Sequence, residues 1–419
     1  MLHSLYSFCF RLALPFVMLR LWWLGRKAPQ TRANWQDRLG FAPRFPEPVI
    51  WVHAVSVGET IAAAPLVKAL LARQPDLPVL MTAMTATGSE RARALFGERV
   101  HYAFSPYDTP GAVRRFLDRV RPRALVIMET ELWPNMIRLS EQRGIPIFLI
   151  NARLSERSAL GYERVDSLVR PLLRDLSWVA AQAEEDARRF LRIGAQPESV
   201  SVTGSIKFDV EITSALRTQA QDLRRSLLGE ERPVWIAAST HIGEDEQILA
   251  AHQALLATHP EALLVIVPRH PERFDAVAEL VQASGLSLAR RSRGESANGC
   301  AVYLGDTMGE LLMLYGMADL ALVAGSLIER GGHNPLEPAA WGVPVLTGPH
   351  VFNFETIYSQ LEAGGALTRV EDSTSLALAL ERLIAAPERR RELGANALAV
   401  VEANRGALNR VVEGIVARV

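Results

Sequence analysis

The glutamate at position 59 follows an apolar segment and a short turn in the sequence WVHAVSVGET. This pattern predicts a strand that leads into a helix beginning at about Glu59. The dipole of a helix keeps a carboxylate in its first turn ionised, so Glu59 is a candidate general base at the ligand-binding end of a strand. The alternative is that Glu59 only stabilises the start of the helix, and the local pattern alone favours that alternative.

Other charged residues also follow predicted strands. Glu129 and Glu131 lie in IMETELWPN, and two neighbouring carboxylates are costly there unless they are solvated, paired or in contact with a ligand. Lys207 in TGSIKFD and the Arg269–His270 pair in IVPRHPER are candidates for binding an anion. A solvated loop and ordinary surface charges are the alternatives for these positions.

The stretch GSLIERGGHNPLEP, residues 325–338, has two features. Asn334 suits an N-cap, Pro335 the first helical position and Glu337 the third, which together resemble a capping box. The glycines that precede them are not needed for a cap. An open backbone just before a helix suits a phosphate or a ribose, so both interpretations can hold together.

Composition sets the broad class of protein. A chain of 419 residues with 49% hydrophobic content predicts two domains. The balance of 46 basic and 46 acidic residues argues against a general nucleic-acid binder. Cys9 and Cys300 have no metal-ligand or redox spacing, which indicates a reducing compartment without a disulfide scaffold or structural zinc. The sequence contains no dinucleotide fingerprint, no P-loop and no paired aspartates, so any sugar-nucleotide chemistry is expected to need no metal and no cofactor.

The N-terminal residues 1–27 form a separate apolar segment. The run from Leu2 to Leu24 favours membrane insertion, whereas Arg11 opposes it, so its insertion energy is marginal. The segment ends in two tryptophans and two basic residues, which are typical of a membrane interface with the main body on the cytoplasmic side. We therefore expect a retained anchor that spans the bilayer or lies in its interface; the alternative is a buried first helix of a globular domain.

The rest of the chain alternates between continuous apolar segments and helix-length segments. This alternation indicates parallel sheets covered on both faces, in two successive α/β units with a boundary near residues 206–212. In such sheets ligands bind at the carboxyl ends of the strands, where the candidate residues occur.

Six motifs closely resemble those of the 3-deoxy-D-manno-octulosonic acid (Kdo) transferases of lipid A assembly, and the resemblance covers essentially the whole chain. They are WVHAVSVGET, METELWPN, NARLSERS, TGSIKFD, PRHPER and GSLIERGGHNPLEPAAWGVPVLTGPH. The resemblance implies a GT-B fold, with two Rossmann-like domains facing across a cleft and an N-terminal membrane-associated helix. It implies an anchor at residues 1–27, an acceptor domain at 28–208 and a CMP-Kdo domain at 209–419.

The resemblance also implies roles for individual residues. Glu59 resembles the general base, and Glu129 and Lys207 resemble the residues that stabilise the transition state, with Glu131 as a weaker neighbour. The implied CMP-binding residues are Pro268, Arg269, His270, Met308, Gly309, Glu310, Leu311, Asn334, Pro335, Leu336 and Glu337. No metal site and no cofactor are implied.

The implied activity is inverting transfer of Kdo from CMP-Kdo to the lipid A precursor, lipid IVA, in lipopolysaccharide core biosynthesis. It takes place at the cytoplasmic face of the inner membrane, with membrane lipid but no nucleic acid as a partner. A sugar-nucleotide epimerase of the same fold would not need the apolar N-terminus. A non-catalytic lipid-binding protein would not need an ionised Glu59 near a CMP site.

Overall fold

A computed structural model describes residues 2–26, 28–228 and 232–419. These residues form two compact units. The first unit contains the described residues up to Asp209 together with Arg405–Val419, and the second contains those of Val210–Asn404.

The first unit is built on a seven-stranded parallel sheet in the order β3-β2-β1-β4-β5-β6-β7. Its strands are β1 (Val49–His53), β2 (Val79–Ala83), β3 (His101–Phe104), β4 (Pro122–Met128), β5 (Ile147–Ala152), β6 (Trp178–Ala181) and β7 (Val200–Val202). Its α-helices are α1 (Leu2–Leu24), α2 (Val57–Arg73), α3 (Ala86–Phe96), α4 (Pro110–Val120), α5 (Pro134–Glu141), α6 (Glu156–Glu163), α7 (Asp166–Arg174), α8 (Glu184–Arg192) and α17 (Ala407–Val416). Short 3₁₀ helices lie at Pro29–Arg32, Trp35–Leu39, Gly97–Arg99, Pro197–Ser199 and Ile206–Phe208.

The second unit is built on another seven-stranded parallel sheet, in the order β10-β11-β9-β8-β12-β13-β14. Its strands are β8 (Val234–Thr240), β9 (Leu263–Pro268), β10 (Leu288–Arg290), β11 (Val302–Leu304), β12 (Leu320–Val323), β13 (Val345–Thr347) and β14 (Leu367–Arg369). Its α-helices are α9 (Ser214–Leu228), α10 (Asp245–Leu256), α11 (Phe274–Ala283), α12 (Leu311–Tyr315), α13 (Leu336–Trp341), α14 (Glu355–Ala363), α15 (Ser373–Ala385) and α16 (Pro387–Asn404). Short 3₁₀ helices lie at Pro271–Arg273 and Arg291–Arg293.

The central strands are continuously apolar because both faces of each sheet are covered. Trp51 of β1 packs into one apolar cluster and its neighbour Ile50 into another, on the opposite face of the sheet. Trp235 and Val234 of β8 divide in the same way between the two clusters of the second unit. The predicted fold class, two Rossmann-like units built on parallel sheets, is therefore confirmed.

The strand orders mark one place in each sheet where a ligand crevice is expected. In the first sheet β1 lies between β2 and β4, and in the second β8 lies between β9 and β12. The chain connections leave these positions in opposite directions, and ligands of open α/β sheets bind at the carboxyl ends of such strands. Glu59 and Glu129 follow β1 and β4, whereas residues 325–337 follow β12.

The C-terminal helix α17 belongs to the first unit. Val411, Val412 and Ile415 are buried in the same apolar cluster as Ile50 of β1. The backbone N–H groups of residues 406 and 408 each donate a hydrogen bond of 2.7 Å to the carboxylate of Asp209. The expected second domain of residues 209–419 is therefore wrong for residues 405–419, because the apolar face of α17 is buried in the core of the first unit.

Helix α1 is continuous through Pro15 and is long and apolar enough, by length and composition, to cross a membrane. Its exposed large apolar side chains include Leu5, Phe8, Leu12, Phe16 and Leu19. This exposure does not fit the alternative of a buried first helix. Specific polar contacts hold its first turns on the first unit: the hydroxyl of Tyr6 donates to Asp108, and that of Ser7 donates to Asn135, each over 3.0 Å.

Candidate active site

Glu59 lies in the first turn of α2, but that helix begins at Val57 rather than at Glu59. Ser56 is the N-cap, and its hydroxyl oxygen accepts the Glu59 N–H at 3.3 Å. In return the Glu59 carboxylate accepts the Ser56 hydroxyl at 2.9 Å and the Val55 N–H at 2.8 Å. Ser56 and Glu59 have the spacing of a capping box, a signal that predicts the observed helix start.

The pKa of Glu59 is raised to about 7. Burial is the largest cause; the hydrogen bonds from Val55 and Ser56 lower the pKa, and the nearby negative charges of Glu131 and Glu129 raise it. The sequence predicts that the helix dipole keeps the pKa of this carboxyl group low. That prediction is wrong, because the burial of the side chain outweighs the dipole. A carboxylate with a pKa near neutrality is suited to accept a proton during catalysis. The cap and the candidate base are thus the same side chain, with its pKa tuned by its surroundings.

Glu129 is the first residue after β4 and has a left-handed backbone with φ of 58°. Such a conformation strains a non-glycine residue and occurs preferentially at functional sites. Its carboxylate lies 3.2 Å from the ammonium of Lys207. Glu131 accepts the indole N–H of Trp133 at 2.9 Å, and burial and then the charge of Glu129 raise the pKa of Glu131.

Asn151 supports Lys207, a contribution that the sequence did not predict. It lies in β5 with φ of 54°, and its side-chain oxygen accepts the Ser205 hydroxyl and the Ile206 N–H, each at 3.3 Å. These bonds fix the start of the 3₁₀ turn that carries Lys207. The available signal was a polar residue near the end of the otherwise apolar strand IPIFLIN.

In the second unit, Asn334 and Glu337 begin α13 differently from the predicted capping box. The first helical residue is Leu336, Pro335 precedes it, and the Asn334 side-chain oxygen accepts the Leu336 N–H at 3.1 Å. The Asn334 amide lies 3.5 Å from the Glu337 carboxylate, so the glutamate contacts a side chain instead of the backbone N–H of the cap. Burial raises the pKa of Glu337, and the positive charge of Arg269 acts against this shift.

The remaining predicted donor residues follow β9 and β11. Pro268 ends β9, and Arg269 and His270 after it are exposed; the Arg269 N–H donates to the Thr240 carbonyl at 3.0 Å. In the loop after β11, Glu310 makes a bidentate ion pair with Arg291 at 3.0 and 2.8 Å, and this pair lowers the pKa of Glu310.

The residues around Glu310 complete that loop. Met308 is exposed, Gly309 has φ of +86°, and Leu311 begins α12. The positive charge of Arg269 acts on both Glu337 and His333, and that of His270 acts on His333. The carboxylate of Glu310 instead contacts Arg291 and Thr307. The described residues contain no group of three or more His, Cys, Asp or Glu side chains placed to hold a metal ion.

Comparisons with known proteins agree with this architecture. A sequence profile of the family described as 3-deoxy-D-manno-octulosonic-acid transferase (kdotransferase) matches residues 33–210, and one described as glycosyl transferases group 1 matches residues 241–400. The chain is 43% identical over 415 residues to the 3-deoxy-D-manno-octulosonic acid transferase of Haemophilus influenzae, covering 98% of this chain and 96% of that protein. The chain belongs to the Kdo transferase family. It is a glycosyltransferase of lipopolysaccharide biosynthesis.

A second relative and a solved structure distinguish proteins of the same family from proteins that share only the fold. The Bordetella pertussis Kdo transferase is 40% identical over 432 residues, covering 99% of this chain and 98% of that protein. The UDP-GlcNAc 2-epimerase of Neisseria meningitidis is only 16% identical, with a TM-score of 0.57, covering 88% of this chain and 100% of that one. The epimerase shares the fold alone, while both Kdo transferases share the sequence along nearly the whole chain.

Proposed function

We propose that this Kdo transferase moves Kdo from CMP-Kdo to lipid IVA with inversion at the anomeric carbon and without a metal ion. The observation that carries the proposal is the cluster of Glu59, Glu129 and Lys207 in the first unit of a chain from this family. The cluster combines a carboxylate whose pKa is near neutrality with a charged pair, and these groups suit activation of a hydroxyl next to a reacting anionic sugar.

Glu59 acts as the general base in this proposal. Its carboxylate takes the proton of the acceptor hydroxyl while the hydroxyl oxygen forms a bond to the anomeric carbon of Kdo. The bond from that carbon to the phosphate oxygen breaks, and its electron pair leaves with CMP. Attack from the side opposite the phosphate inverts the anomeric centre.

Lys207 and Glu129 stabilise the charges that change during transfer. Kdo carries a carboxylate, and its ring develops positive charge as the phosphate departs. An ammonium suits the sugar carboxylate and a carboxylate suits the developing cation, so a fixed pair can serve both. The Asn151 contacts and the left-handed backbone of Glu129 supply the fixed positions that such stabilisation requires.

The second unit binds the CMP part of the donor. Arg269 is exposed and suits the phosphate, while Asn334 and Glu337 offer polar side chains for the ribose or the base. The full set proposed for CMP comprises Pro268, Arg269, His270, Met308, Gly309, Glu310, Leu311, Asn334, Pro335, Leu336 and Glu337. Glu310 is the least free of these, because its carboxylate is already paired with Arg291.

Helix α1 attaches the enzyme to the cytoplasmic face of the inner membrane, where lipid IVA resides. Its exposed apolar side chains support membrane contact, whereas the contacts of Tyr6 and Ser7 keep its first turns on the globular unit. A helix held in this way at one end favours a position in the membrane interface over a complete span.

One assay tests the proposed reaction against the epimerase and the lipid-binding alternatives. The full chain is incubated with CMP-Kdo and tetraacylated lipid A precursor in the presence of a chelator, and the products are measured by mass spectrometry. We expect a lipid product carrying added Kdo together with an equal amount of CMP. Release of CMP without glycosylated lipid, or no reaction at all, would contradict the proposed acceptor.

A further inference from the structure

A buried carboxylate joins two loops of the second unit. The side chain of Glu244 is fully buried and accepts four backbone N–H groups: those of His241 at 3.1 Å, Gly325 at 2.8 Å, Ser326 at 3.1 Å and Leu327 at 3.0 Å. These bonds satisfy the carboxylate and fix the loop after β8 against the turn after β12. The two loops are therefore held together at the place where a ligand crevice is expected.

This arrangement brings two imidazoles into direct contact. The Nε2 atoms of His241 and His333 are 2.8 Å apart, and the two ring planes differ by only 10°. Gly325 has φ of +71°, and a Cβ atom there would lie 2.9 Å from the His333 ring. A side chain at position 325 would thus displace the pair, so the local backbone is fitted to it.

A hydrogen bond between two Nε2 atoms limits how many protons the pair can hold. In the neutral pair one Nε2 carries a hydrogen and donates it to the lone pair of the other. One additional proton can enter at the bare Nδ1 of the donor ring and leave this bond intact. A second would place a hydrogen on both Nε2 atoms and break the bond, so the pair takes up one proton as a unit.

The surroundings keep the pair uncharged when no anion is present. Burial is the largest effect and, with nearby positive charges, lowers the pKa of His241 to about 4 and that of His333 to about 3. The positive charges that act on the pair are those of His270, Arg269, Arg273 and Arg330. The nearby carboxylate of Glu244 is already bonded to four N–H groups, including that of His241. The hydroxyl of Tyr358 donates to the backbone carbonyl of His333, at 3.0 Å.

We propose that His241 and His333 form a proton-accepting pair that becomes protonated when the phosphate of the nucleotide binds beside Arg269. This inference rests on the proposed position of CMP in the second unit. The negative phosphate favours the charged form of the imidazoles and so opposes both their burial and the nearby positive charges, which allows the pair to accept a proton. The donor is a phosphodiester with one negative charge, and the released CMP is a monoester that can carry two. A proton on the pair therefore stabilises the product of bond cleavage more than the donor and assists departure of the phosphate.

Calorimetry measures this proton directly. CMP is titrated into the full-length protein near neutral pH in buffers of different ionisation enthalpy, and the dependence of the heat on the buffer gives the number of protons taken up. We expect the wild type to take up more protons per CMP than His241→Gln or His333→Gln, by up to one proton. His101→Gln, in β3 of the first unit, serves as a matched control and should behave as the wild type does.

Equal proton uptake by the wild type and both pair variants would overturn the inference while leaving the proposed CMP site intact. Absence of CMP binding by the wild type would instead contradict the proposed function. A second readout needs no variant: without uptake by the pair, CMP affinity falls as the pH approaches the second phosphate pKa of about 6. With uptake by the pair this fall is offset, so a full loss of affinity over that range also overturns the inference.

Discussion

The ammonium of Lys207 lies 3.2 Å from the carboxylate of Glu129, and this contact joins the ends of strands that are not neighbours in the sheet. Glu129 follows β4 and Lys207 follows β7, with β5 and β6 between these two strands. The Lys207 and Glu129 side chains are 27% and 29% exposed, so the pair is shielded only in part and can still meet a substrate. An ion pair that is partly exposed contributes little to the free energy of unfolding, so protein stability alone gives this pair only a small role.

Replacing Lys207 by methionine is expected to lower kcat by ~10²–10³, because a fixed charge next to the transition state is lost. Stability should change by only about 1 kcal/mol or less, the usual range for a partly exposed ion pair. Arg143→Met is a matched control because Arg143 also makes an ion pair, 2.7 Å from Asp118, in the same unit. Similar kinetics of the two variants would assign Lys207 a structural role only.

The pKa of Glu59 predicts how activity depends on pH. A base must be deprotonated, so kcat/KM should rise with pH through a midpoint near 7, the raised pKa of this carboxyl group. Stability should change in the opposite direction, because a raised pKa in the folded state means that the native protein holds the proton that the unfolded chain releases. The contribution of Glu59 to stability should thus decline between about pH 4.5 and 7. Melting curves of the wild type and Glu59→Gln measure this decline, and parallel profiles for the two proteins would contradict it.

Replacing Arg269 or Glu337 by alanine is expected to weaken CMP binding. Each substitution removes a charge-assisted contact worth roughly 1.5–3 kcal/mol, which corresponds to about a 10- to 150-fold loss of affinity. Arg293→Ala controls for the general loss of a positive charge in this unit, because that side chain is 62% exposed. If calorimetry gave the same CMP affinity for both site variants as for the wild type, the GGHNPLEP segment would form only the start of a helix and would not bind CMP.

Deleting residues 1–24 is expected to move the protein into the soluble fraction and to leave CMP affinity unchanged, since the proposed CMP residues all lie in the second unit. Fractionation and calorimetry measure the two properties. A full-length protein with Leu12, Phe16 and Leu19 changed to serine separates the loss of exposed apolar surface from the loss of the helix itself. Truncated protein that sediments wholly with membranes would show that other surfaces provide the attachment.

Much of the fold could be predicted because fully buried parallel strands require continuous apolar segments, such as those that include Trp51 and Trp235. The rule that ligands bind at strand ends then selected Glu59, Glu129 and Arg269 from the many charged residues. The position of α17 could not be predicted in this way. An apolar helix face indicates that the helix is buried, but the sequence does not specify which of two cores receives it.

The parts of the site that could not be predicted depend on contacts between residues that are far apart in the sequence. Nothing near Glu244 in the sequence indicates that its carboxylate binds the turn at residues 325–327. The same applies to Asn151 and its bonds to the turn that carries Lys207. The start of α2 is different, because the spacing of Ser56 and Glu59 contains the information and a capping box predicts the observed boundary.

The turnover of Glu59→Gln tests the proposed mechanism most directly, because capping and catalysis lead to different results. Glutamine keeps the shape: its amide oxygen can accept the Val55 N–H, and its NH2 group can donate to the Ser56 hydroxyl oxygen. It cannot, however, take a proton from the acceptor. Glu184→Gln, an exposed first-turn acid of α8, controls for loss of a carboxylate at a helix start. At saturating lipid acceptor we predict that kcat of Glu59→Gln falls by ~10²–10⁴ while CMP binding is retained. A kcat within a few-fold of the wild type would contradict the assignment of Glu59 as the base and leave Glu129 or Glu131 as the next candidate.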